Sequence, residues 1–147
     1  MINQPSISLE EARAVISAGE EKARQNGQPS NIAVVDAGGN LVAHIRMDGA
    51  WIGSVDISIN KAYTARAFDI STAELGANAQ PGTEFYGIQM SNHGRVRIFA
   101  GGLPLQHDGQ VVGAVGVSGG SGAQDQSVAE AAATAFQPSL EAAHARR

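Results

Sequence analysis

The sequence predicts an α+β layered domain, a five-stranded antiparallel sheet flanked by helices. Three observations carry that expectation. Two strand-like runs, Asn31 to Asp36 with its apolar IAVV and Leu41 to Met47, are separated by Ala37-Gly38-Gly39-Asn40, which can supply the positive φ angles of a hairpin turn. A later series of short β-branched runs is interrupted by Gly101-Gly102 and Asp108-Gly109. Helical stretches precede the hairpin, separate it from the later strands and close the chain, so that helices can cover a sheet.

The elements follow in order. Ser8-Leu9-Glu10-Glu11 reads as a capping box, and Leu9, Ala12, Ile16, Gly19 and Ala23 recur at helical spacing, which predicts a helix over about 9–25 with Gly27 as its stop. In the strand from Leu41, strict alternation puts Leu41, Ala43, Ile45 and Met47 on one face and Val42, His44 and Arg46 on the other. Residues 54–68 contain no Pro or internal Gly and predict a second helix with Lys61 at its middle. Short helices are expected over 72–79 and 83–90, a turn over 91–94, and strands over 96–100, 103–107 and 110–118. Pro104 places its strand at an edge or a bulge, and an Ala-rich helix over 123–136 closes the fold. One domain is expected over 1–147, with a core of about 7–137 and a frayed tail over 138–147.

Composition narrows the functions. The chain has 147 residues, no cysteine, 18 glycines and a formal charge of −4. The absence of cysteine removes disulfides and thiolate metal sites. The acidic balance argues against nucleic acid as a partner. No apolar run approaches a membrane span. The opening MINQPSISLEE lacks the pattern of a signal peptide, so a cytoplasmic location and no membrane partner are expected.

Several residue groups carry candidate chemistry. The Gly-rich segment Ser118-Gly119-Gly120-Ser121-Gly122 joins a strand to a helix, where free amides can hold an anion. It matches neither a dinucleotide fingerprint nor a P-loop. The corner Arg46-Met47-Asp48 places opposite charges two residues apart. Lys61, among apolar neighbours, can neutralise a carboxylate or act as a base if its pKa falls. Glu84 opens a loop-side helix near other polar groups. No histidine pair has metal-chelating spacing, so no metal site is expected. A haem needs only one or two axial ligands, for which His44 and His93 are the candidates; His107 and His144 are discounted.

Five motifs in fixed order resemble the GlcG/HbpS-like family, which is related to the C-terminal domain of PduO-type proteins. They are VVDAGGNLVA from Val34, RMDGA from Arg46, KAYTA from Lys61, GGLPL from Gly101 and GAVGVSG from Gly113. The resemblance spans about Ile7 to Phe136. It implies a profilin-like layered domain and homo-oligomers, dimers built into larger rings or octamers. It also implies haem binding in some members, with haem degradation or redox sensing described for a subset. Other members belong to catabolic settings without an assigned role.

Three functional readings result. The first is a haem- or tetrapyrrole-binding protein, with His44 or His93 as iron ligand. The second is a cofactor-independent lyase, isomerase or hydratase acting on a carboxylated metabolite. There Lys61, Asp48 and Glu84 would be catalytic, and Arg46, Ser118, Gly119 and Gly120 would bind the ligand. The third is a non-catalytic oligomeric assembly subunit.

Overall fold

The computed structural model describes residues 1–138, so His144 and the tail beyond 138 lie outside the described residues. Helix α1 (Leu9–Asn26) starts as expected. Ser8 Oγ accepts from the Glu11 amide and the Glu11 carboxylate accepts from the Ser8 amide, and Gly27 closes the helix at φ 67°. Its buried stripe is Ala12, Val15, Ile16, Gly19 and Ala23; Leu9 lies outside it and is exposed.

The sheet has four strands in the order β2-β1-β4-β3, every pair antiparallel. They are β1 (Asn31–Asp36), β2 (Leu41–Arg46), β3 (Gly102–His107) and β4 (Gln110–Ser118). The expected fifth strand over 96–100 does not form. Its backbone is held by helix α2 (Gly53–Phe68): Thr64 Oγ1 accepts from the Arg97 amide at 2.9 Å, where a ladder would need a neighbouring strand. The β3–β4 turn has Asp108 at φ 50° and Gly109 at φ 76°, the left-handed pair that a two-residue hairpin requires.

Helices lie on both faces of the sheet. Ile32, Val34, Val115 and Val117 pack with α1 and with α4 (Gly122–Thr134) in the main core, while Ala33, Val35 and Ala114 pack with Ala62 and Ala65 of α2. Gly116 lets α2 settle closely, since a Cβ there would stand 2.1 Å from the Ser58 carbonyl oxygen. Helix α2 covers β4, β1 and β3 and barely reaches β2, so the α2-side face of that edge strand stays uncovered.

Two expectations about local structure change. Strand β2 carries a bulge: Val34 pairs with Ala43 and Val35 with Leu41, leaving Val42 between them. The inserted residue turns Leu41 away from the face of Ala43 and Ile45, and Val42 packs on the main core with them. Between α3 (Thr72–Ala77) and β3 the chain forms turns and two 3₁₀ segments, Ile88–Met90 and Asn92–Gly94, in place of a helix over 83–90. Helix α3 starts at Thr72 as expected, capped by Ser71 through the Glu74 amide, and ends at Ala77, two residues short of the expected end.

Candidate functional site

The best-buried of the predicted residues is Lys61, 1% exposed. Its Nζ donates to the Val117 carbonyl at 2.8 Å and to Asp125 Oδ2 at 3.1 Å, and lies 5.0 Å from the centre of the Phe99 ring. Asp125, 4% exposed, accepts from the Gly120 amide at 3.0 Å through its other oxygen. Gly101 passes over this pair at φ 125°, where a Cβ would stand 2.5 Å from the Val117 oxygen and 2.9 Å from Nζ. Burial pushes the Lys61 pKa down while Asp125 pulls it back. Burial pushes the Asp125 pKa up against the opposing pull of Lys61 and of the Gly120 and Gly119 amides. Three donors converge on the carboxylate and favour its charged form against that burial.

This arrangement changes the reading of the Gly-rich segment. The amides expected to receive a ligand anion are already engaged. Gly120 serves Asp125, while Ser121 and Gln124 cap α4 reciprocally. Ser118 Oγ donates to Ser54 Oγ at 3.0 Å inside the sheet–α2 layer. Lys61, Ser118, Gly119 and Gly120 are therefore brought together, around the protein's own carboxylate. Sequence reasoning missed Asp125. Its position in the first turn of a helix after a Gly-rich loop was the available signal.

The remaining predicted residues lie elsewhere. Arg46 and Asp48, both exposed, line a cavity of about 440 Å³ with Glu20, Arg24, Ile45 and Met47. Glu84 is exposed in the segment between α3 and β3, and His93 is exposed there at φ 58°. None of these joins Lys61 in one pocket.

His44 has a different setting. It pairs with Ala33 across β1–β2, on the sheet side that α2 leaves open. Its Nε2 is buried and has no hydrogen-bond partner. Asn31 Oδ1, on the adjacent strand, is also buried and unpartnered, while Asn31 Nδ2 donates to the Trp51 carbonyl at 3.0 Å. Burial, and then the charge of Arg46, hold the His44 pKa below its ordinary value of 6.5. The imidazole is therefore neutral at pH 7, the form that ligates a metal. Leu41, Trp51 and Ile52 are exposed apolar side chains of β2 and of the segment leading into α2.

Comparison with known proteins agrees with this architecture. Residues 7–134 match the family model described as "Haem degrading protein HbpS-like". The chain is 46% identical over 131 residues to an uncharacterized 15.0 kDa protein of the dhaT-dhaS intergenic region of Citrobacter freundii, covering 89% of this chain and 92% of that one. The solved structure of Klebsiella pneumoniae protein ORFY has a TM-score of 0.90 at 42% identity, covering 92% of this chain and 94% of that one. A PduOC:heme complex has a TM-score of 0.86 at 35% identity, covering 90% and 96%. The order of motifs, the helix-flanked antiparallel sheet and the match along nearly the whole described chain place this protein in the HbpS-like family.

Proposed function

We propose that the protein binds haem or a related tetrapyrrole on the uncovered face of β2, with His44 as the iron ligand. The observation that carries this reading is the His44 Nε2, a buried nitrogen with no partner. Leaving such a group unsatisfied costs about 1–3 kcal/mol, a cost that a metal bond would remove. The neutral imidazole, the exposed Leu41, Trp51 and Ile52, and the cation Arg46 two residues along the strand fit an apolar macrocycle with acidic substituents. Ligation requires His44 to turn its Nε2 outward, toward the face that α2 leaves uncovered. The heme complex of a structurally similar relative supports the same ligand class. Bound haem would supply redox chemistry at its iron; His44 would hold that iron and Arg46 would neutralise a carboxylate. His93 is the alternative ligand, and its exposure makes it the weaker one.

The test is titration of the protein with hemin, followed by the Soret band. We expect a shifted, saturable band in the parent protein, lost in His44→Ala and retained in His93→Ala. An unchanged hemin spectrum at micromolar protein would reject haem binding, and loss only in His93→Ala would move the ligand. The exposed apolar side chains also support a homo-oligomer, a dimer or larger ring, which native mass spectrometry would read directly.

A further inference from the structure

A second group of cations lies at the turn end of the β1–β2 hairpin, unused by either site above. A cavity of about 240 Å³ opens between that turn and α2, lined by Ala37, Gly38, Gly39, Tyr63, Arg66 and Ala67. Arg66 Nε donates to the Ala37 carbonyl at 2.7 Å and its Nη1 to Asp69 at 2.7 Å, which leaves Nη2 outside both contacts. Arg95 lies outside that lining but stacks on Tyr63, its guanidinium carbon 3.7 Å from the ring centre, and its Nε donates to Asn60 Oδ1 at 3.0 Å. Both contacts leave its terminal amines for an acceptor. Two residues further on, Arg97 is tied through its amide to Thr64 Oγ1, one helical turn from Asn60, and its buried Nε has no acceptor.

Three arginines, Arg66, Arg95 and Arg97, stand near this cleft against two carboxylates, Asp36 and Asp69. Neither Arg95 nor Arg97 forms an ion pair among the described residues. Asp36 Oδ1 accepts from the Gly38 and Asn40 amides, and Asp69 holds Arg66. The nearby carboxylates are thus committed to the turn and to the helix end. A guanidinium fixed by an aromatic face and a side-chain carbonyl is preorganised to grip an oxyanion with two parallel hydrogen bonds.

We propose that this cleft is a binding site for a small dianionic oxyanion, a dicarboxylate or a phosphate group, held by Arg66 and Arg95 beside Tyr63. Calorimetric titration of the full chain with sodium malonate and with inorganic phosphate, against sodium chloride at matched ionic strength, tests it. We expect saturable binding of at least one, the stronger of the two naming the chemistry. Arg95→Gln should weaken it by about tenfold, the loss of one charge-assisted contact. Arg66→Lys, which keeps the charge and loses the fork, should weaken it as well. His44→Leu should leave it unchanged, which separates this cleft from the haem face. In the parent protein the side-chain ¹⁵Nε resonance of Arg95 should shift along the titration. Heats no larger than those of chloride, or binding indifferent to Arg95→Gln and Arg66→Lys, would overturn the proposal.

Discussion

Two buried polar regions of this protein meet opposite fates. The Lys61–Asp125 pair, between α2 and α4, is closed. Each charge meets its opposite, backbone groups occupy further positions on both, and Phe99 stands over the amine. The His44 side of β2 is open, with an imidazole nitrogen and the neighbouring Asn31 oxygen both unpaired. A satisfied pair of this kind holds elements together and is costly to break. An unsatisfied one is cheap to remove and available to a ligand. The difference separates a lysine whose hydrogen-bonding groups are met within the fold from a histidine with a nitrogen left unmet, although the lysine is the more deeply buried of the two.

Mutations can break that contrast. The largest effect is expected for Asp125→Leu, which strands the Lys61 cation and should cost about 3–5 kcal/mol in urea unfolding. Lys61→Met should cost less, because Asp125 keeps the Gly119 and Gly120 amides and can take up a proton. The double variant should recover part of the loss. A double variant no more stable than Asp125→Leu would deny the pairing. Next is Gly101→Ala, which meets the Val117 oxygen and a backbone angle unfavourable to side chains. The strained backbone alone should cost about 1–3 kcal/mol, read as a lower melting temperature.

His44→Leu should instead leave stability within about 0.5 kcal/mol of the parent or raise it, while abolishing the hemin-induced Soret shift. A destabilised variant that still binds hemin would make His44 a structural residue. The smallest effect concerns pH. Because the folded-state pKa of His44 is depressed below 6.5, the folded chain binds its proton less readily than the unfolded chain does. Its contribution to stability is present above pH 6.5 and is lost as pH falls through the lower folded value. Unfolding measured from pH 7.5 to 5 should therefore show a decline that His44→Leu lacks.

Much of the fold was legible because local signals agreed with one another. Ser8 with Glu11, Gly38-Gly39 and Asp108-Gly109 all specify their turns through short-range chemistry. The segment 96–100 was misread because its apolar residues are real, yet the Arg97 amide donates to the Thr64 side chain of α2, which periodicity cannot show. The site was less legible. Lys61 was correctly singled out as unusual, but its partner is 64 positions away. Nothing in local spacing connects them. The amides of Gly119 and Gly120 were read as facing a ligand anion; the anion they face belongs to the chain itself.

The bulge at Val42 also sets a rule for how this strand can vary. Side chains alternate across a sheet with a period of two, so in a ladder without a bulge one extra residue exchanges the faces of everything beyond it. Deleting Val42 would restore the simple ladder. Val35 would still face Leu41 and Val34 would still face Ala43, so every side chain, His44 included, would keep its present face. The bulge is thus a spare residue: a one-residue deletion between Leu41 and Ala43 is taken up there, and the two ends of the strand keep their frames.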